Sequence, residues 1–190
     1  MAGGSTDGSR AHLAHGELES RPSVAQKPNL PDNLTWTTSA LESDLDLVGD
    51  FEVRLDAAIT ESDTGWIVAL EDMDDKGSAT CITPGWLRAS LRASLRAVDD
   101  AVSDPGRPLH DCSSPVPVPP GETTTYRVAL VPNAMRILAG HRLALTVGSS
   151  DSTPHGVPAP LGFTHLDVGG PSINTVFATS TLLLPVLTEG

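Results

Sequence analysis

Between residues 51 and 59 the chain reads Phe-Glu-Val-Arg-Leu-Asp-Ala-Ala-Ile, and this alternation constrains the fold more than any other stretch. Phe51, Val53, Leu55, Ala57 and Ile59 fall on one side of an extended chain, and Glu52, Arg54 and Asp56 on the other. A period of two is a strand with one face on a core; a helix would scatter the same apolar residues around its circumference. Such a strand is not stable alone and demands further strands to bury its apolar face.

The rest of the chain supplies them. "GWIVALEDMDDKG" at 65–77 begins apolar on both faces, as a central strand does, and runs into Asp74-Asp75-Lys76-Gly77, a hairpin turn with glycine where φ is positive. "TTTYRVALVP" at 123–132 places Tyr126, Val128 and Leu130 on one face, and "HRLALTVGSS" at 141–150 does the same with Leu143, Leu145 and Val147. "INTVFATSTLLLPVL" at 173–187 is rich in β-branched residues and closes the chain. Prolines recurring through 103–122 exclude a regular element there, and 151–172 reads as a second Gly/Pro-rich loop. One helical turn is expected at "NAMRILAG", residues 133–140, with Asn133 as its cap and Gly140 as its stop. In "GWLRASLRASLRAVDD", residues 85–100, Leu87, Leu91 and Leu95 recur every four residues beside Arg88, Arg92 and Arg96. A step of four suits one face of a helix and one face of a strand, so the spacing leaves both open. Short strands, frequent turns and almost no long helix indicate an all-β antiparallel β-sandwich or jelly roll spanning 34–190. Residues 1–33 are small, polar and proline-spaced, and read as a flexible or extended tail.

Charge and composition narrow the function. The net charge is −12, which repels phosphate backbones, so no nucleic-acid partner is expected. The longest apolar run, "TLLLPVL" at 181–187, is too short to span a bilayer, and no charged-then-apolar leader starts the sequence. A cytoplasmic location is expected, with secretion the alternative if an upstream segment supplied a leader. Cys81 and Cys112 show no metal-site spacing and read as free thiols. His12 and His15 stand at helical spacing without a third ligand and read as surface histidines.

No Gly-x-Ser-x-Gly elbow, phosphate-binding glycine loop or His-Glu-x-x-His motif occurs. Ser149 and Ser150 in "VGSSDS" lack the second glycine and the following helix. The carboxylates of "EDMDD" at 71–75 lack the alternating ligands and distal glutamate of a calcium loop, and read as an acidic hairpin tip. His141 beside Arg142 offers a base and an anion clamp, or simply the start of a strand. "NLT" at 33–35 is a glycosylation acceptor only in a secreted eukaryotic chain. No catalytic, cofactor-binding or metal-binding residue is assigned.

Several stretches together resemble the C-terminal domain of the X-Pro dipeptidyl-peptidase and cocaine-esterase group of serine hydrolases. These are the run 34–77 with Trp36-Thr37-Thr38, "DLDLVG" and "SDT"; "ITPGWLRASLR"; and "PGETTTYRVALVPNAMRILAGHRLALTVGSSD". The last carries Pro132, Ala134, Gly140, His141, Arg142, Leu143, Ser149, Ser150 and Asp151 in the family's order. The ending "SINTVFATSTLLLPVL" is similar too, so the resemblance covers roughly 34–187. It departs at the extra "ASLRA" copy and after Asp151, where Ser152, Thr153 and Pro154 replace an aromatic–proline pair.

The resemblance implies a galactose-binding-like jelly roll in which Gly85–Arg92 is a strand, with Leu87 and Leu91 inward and Arg88 and Arg92 outward. It also implies a non-catalytic accessory domain that packs, in cis or in trans, against an α/β-hydrolase domain. The catalytic serine, aspartate and histidine belong to that other domain, and no cofactor is implied. A homo-oligomer stays open as a further partner. The alternative is a free-standing carbohydrate-binding or protein-interaction module, for which Trp36, Trp66, Trp86 and Tyr126 are the available aromatics.

Overall fold

The computed structural model describes residues 3–4, 11–13, 19–21, 33–92, 104–110, 114–149 and 172–187, the first three segments as backbone only. Its elements are strands: β1 (Gly3–Gly4), β2 (Ala11–Leu13), β3 (Glu19–Arg21), β4 (Leu34–Thr37), β5 (Leu45–Ile59), β6 (Gly65–Met73), β7 (Ala79–Arg88), β8 (Thr124–Ile137), β9 (Arg142–Gly148), β10 (Asn174–Val176) and β11 (Thr181–Leu184). All pairs are antiparallel, in the order β1-β2-β11-β5-β8-β7-β6-β9-β4-β3, with β10 on β5. The protein is thus an all-β antiparallel sandwich made from one curled sheet.

The two layers are β11-β5-β8 and β7-β6-β9-β4. They join at a single Cα pair, Gly85↔Leu130. A Cβ on Gly85 would stand 2.5 Å from the Ala129 carbonyl oxygen, so only glycine lets the strands approach this closely at the seam. Between the layers lie Phe51, Val53, Leu55, Ala57 and Ile59 of β5, with Val68, Leu70, Val128, Leu145, Leu182 and Leu184. The alternation at 51–59 therefore faces the core as read. Trp66 packs against Tyr126 with ring centroids 5.2 Å apart.

The longest ladder joins β5 to β8, from Leu45↔Ile137 to Ala57↔Thr124, with a bulge between Gly49 and Phe51. This ladder corrects the reading of 133–140. The segment is strand as far as Ile137, because Leu45–Gly49 offers it an antiparallel partner and Ile137 enters the core. Asn133 does not cap a helix: its amide donates to the Ile82 carbonyl oxygen at 2.6 Å. The hairpin after Met73 forms as read, with Gly77 at φ +84° and Asp74 N–H donating to the Ser78 carbonyl oxygen.

The strand at 85–92 is also corrected. It ends at Arg88, and Ala89–Leu91 form a single 3-10 turn. Leu87 points inward and Arg88 outward as read, but Arg92 is buried and donates to the carbonyl oxygens of Ala89 and Val116, both at 3.1 Å. The remaining copy of the repeat, with Leu95 and Arg96, lies outside the described residues, as does most of the loop 151–172.

Candidate functional site

The outward side of β5 and β8 divides into two halves. In the upper half, Glu52 is fully buried, although it points away from the core. Its carboxylate accepts from Arg127 Nε, from Arg127 Nη2 at 2.9 Å, from Arg54 Nε at 3.0 Å and from the Gly106 N–H at 2.7 Å. Arg127 Nη2 also reaches the Asp104 carbonyl oxygen, and Arg107 pairs with Asp50 at 2.7 Å. The turn Asp104–Arg107 is thereby pinned flat on the sheet. Gly106 has φ +82°, and a Cβ there would lie 2.8 Å from Asp50 Cβ, so both space and backbone geometry require glycine. Burial alone would raise the Glu52 carboxyl. The hydrogen bonds from Arg127 and Gly106 and the charges of Arg127 and Arg54 outweigh it and hold the group below the ordinary carboxylate range. His110, at the end of the same loop, is held below the ordinary imidazole value by burial and by the Arg127 charge, against the opposing pull of Glu52 and of a hydrogen bond to the Leu91 backbone.

In the lower half, beyond the bulge, side chains of the same ladder are exposed. Val48 stands opposite Ala134 and donates its backbone N–H to the Pro185 carbonyl oxygen, while Leu187 N–H donates to the Asp46 carbonyl oxygen. Val48 is 51% exposed, Val131 50% and Leu187 60%. Arg136 and Asp46 cross this face as a two-pronged pair, 2.7 and 2.6 Å. Asp44 caps the Ala139 N–H at its lower rim.

A second acid is knotted at the end of the sandwich. Asp63, of the "SDT" run, accepts from Thr64 N–H, Ser90 N–H, Ser90 Oγ and Arg88 Nε at 2.7 to 3.0 Å. Burial pushes its carboxyl up, and these donors, Arg88 first, hold it below the ordinary range. A carboxylate so saturated fixes a loop; it has no lone pair positioned to take a substrate proton.

Other sequence candidates separate. His141 Nδ1 meets Asp72 Oδ1 at 2.8 Å, and Arg142 Nη1 donates to the Thr38 carbonyl oxygen, so the pair ties the start of β9 to β6 and to the end of β4. Asp74 accepts from Lys76 N–H and Ser78 N–H, as a turn acid does. Among the described residues no group of three or more His, Cys, Asp or Glu is arranged to hold a metal ion. Asn33 of the "NLT" run is buried against Gly148 and is not presented for modification. Cys81 is a half-buried free thiol whose pKa burial and Glu71 push up; Cys112 lies outside the described residues. His12 falls in β2, and its side chain, like His15, lies outside them too. Of the four aromatics, Trp66 and Tyr126 are in the core and Trp36 and Trp86 are half-buried. Trp36 lines, with Val53, Leu55, Leu145 and Leu182, an apolar cavity of about 130 Å³ between the layers. No helix among the described residues is long and apolar enough to cross a membrane.

Comparison with known proteins agrees with this architecture. A family described as the X-Pro dipeptidyl-peptidase C-terminal non-catalytic domain matches residues 2–178. A Mycobacterium bovis protein whose name proposes a serine esterase is 30% identical over 129 residues, covering 63% of this chain and 19% of that protein, and a Mycobacterium tuberculosis protein matches equally. The chain therefore spans less than a quarter of the length of the curated relatives it matches. Among solved structures, a CocE/NonD family hydrolase from Staphylococcus aureus superposes with TM-score 0.68 at 18% identity, covering 90% of this chain and 32% of that one. An alpha-amino acid ester hydrolase does so with TM-score 0.57 at 18% identity, covering 84% and 26%.

Proposed function

The chain belongs to the family of X-Pro dipeptidyl-peptidase C-terminal non-catalytic domains, and on that premise we propose that it is an accessory domain that packs against an α/β-hydrolase catalytic domain, in cis or in trans. The observation that carries this reading is the combination of the family match with the state of the polar groups. Glu52 and Asp63 are spent on arginine and backbone donors, and His141 on Asp72, in places that fix loops rather than open onto a cleft. Bond cleavage needs a nucleophile beside a base that is itself oriented, with room for substrate. What this chain offers is a rigid scaffold, which suits shaping a partner's site. The competing carbohydrate module finds less support, because none of the four aromatics weighed for it is exposed.

Two measurements test the proposal. The purified chain is expected to give no labelling by a fluorophosphonate probe and no turnover of nitrophenyl esters. Co-expressed with the M. bovis relative from which the matching region has been removed, it is expected to co-purify with that protein and raise its ester turnover. Labelling of the chain by itself, or indifference of the trimmed relative to its presence, would contradict the proposal.

A further inference from the structure

The curled sheet is closed along one margin and open along the other. β7 meets β8 at Gly85↔Leu130, whereas β11 and β4, at the opposite margin, do not pair with each other among the described residues. The apolar cavity of about 130 Å³ lies at this open margin. Val53, Leu55 and Leu182 wall it from the β11-β5 layer, Trp36 and Leu145 wall it from the β9-β4 layer, and the turn from Val176 to Thr181 roofs it. The roof is held to β5 through Asp56. Phe177 N–H donates to the Asp56 carbonyl oxygen and Thr179 Oγ1 to the Asp56 carboxylate. Ser180 Oγ accepts from the Asp56 N–H and donates to the Phe177 carbonyl oxygen. A void closes only as far as its walls can move, and a roof tied down by these bonds keeps it open.

The lining selects the chemistry of a guest. None of its residues is ionisable, so a charged molecule would lose its hydration there with nothing to replace it. The Ser180 hydroxyl is already committed to backbone as donor and as acceptor, which leaves a sugar few polar groups to bond. Ordered water needs about two to four polar partners, and these walls do not supply them. Aliphatic side chains and the rings of Trp36 and Phe177 offer dispersion contacts instead. Phe177 is 37% exposed, so the roof meets solvent and gives a guest a way in. An apolar cavity of roughly 150 Å³ takes benzene, and this one is close to that size. We propose that the open margin of the sandwich is a binding site for one small uncharged hydrocarbon group, the size of a benzene ring, held between the two layers. Its walls belong to this chain, so the site holds whether or not a hydrolase domain is the partner.

The test uses the full chain with benzene and with benzoate, a charged counterpart of the same ring. Benzene at millimolar concentration is expected to raise the thermal midpoint saturably, by about 2–4 °C, and to give a binding isotherm in calorimetry; benzoate is expected to do neither. Val176→Phe on the half-buried roof and Leu145→Phe on the facing wall each fill part of the space. Each is expected to weaken benzene binding at least about tenfold, and using both keeps the result independent of how well one variant folds. No saturable response of the native chain to benzene, or an equal response to benzoate, would overturn the site. So would full benzene binding by either variant once circular dichroism shows it folded.

Discussion

Around Glu52 the outward side of the β5–β8 ladder is sealed by the turn Asp104–Arg107; four residues earlier, around Val48, it is open. The strands, their pairing and their direction are the same in both halves. What differs is one long-range contact, the pinning of Gly106 and Asp104 onto the Glu52–Arg127 pair. The sealed half has internalised its polar groups at the cost of a buried charge that must stay paired. The open half keeps its charges in water and leaves its aliphatics bare. The comparison teaches that outward-facing and exposed are separate properties of a strand residue, decided here by a contact 54 residues away in sequence.

That contrast can be broken from the sealed side first. Arg127→Met removes two donors from Glu52 and leaves a buried carboxylate, so it is expected to cost about 3–5 kcal/mol in urea denaturation. The double variant Glu52→Leu with Arg127→Met is expected to recover much of that loss. Gly106→Ala, which forces a side chain into Asp50 at positive φ, is expected to cost about 1–3 kcal/mol by the same measurement.

Acid should act on the sealed half next. Glu52 and Asp63 titrate lower in the folded chain than in the unfolded one, so the stability they contribute is complete above the ordinary carboxylate range near pH ~4 and is lost as pH falls through their folded values. His110, also depressed, contributes stability that starts to decline once pH drops below about 6.5. A denaturation series from pH 8 to pH 3 is therefore expected to fall gently and then steeply; a rise in stability on acidification would contradict the buried pairing. The smallest effect belongs to the open half. Asp46→Asn is expected to leave the melting midpoint unchanged, because its partner Arg136 is solvated and exposed pairs contribute little.

Much of the sandwich could be read from local pattern. The alternation at 51–59 and the Gly77 turn depend on neighbours a few residues apart, and both formed as expected. The stretch 133–137 could not be read that way. Ala134, Met135 and Arg136 suit a helix, and the bulge between Gly49 and Phe51 resets the alternation; only pairing with Leu45–Gly49, some ninety residues away, makes it a strand. The resemblance placed Arg92 outward by carrying the strand through it, but the strand stops at Arg88, and the Val116 carbonyl that receives the guanidinium lies 24 residues further on. Glu52 was placed on the correct face, and its burial was invisible because the covering turn is 54 residues away. The exposure of Val48 and Val131 had no sequence signal at all, since they look like any other strand residues.

Carboxyl footprinting by carbodiimide labelling, read by mass spectrometry on the full chain, tests both halves at once. Asp44 and Asp46 are expected to label while Glu52, fully buried beneath the turn Asp104–Arg107, stays unreactive. Labelling of Glu52 at the rate of Asp46 would contradict the contrast between the sealed and the open half.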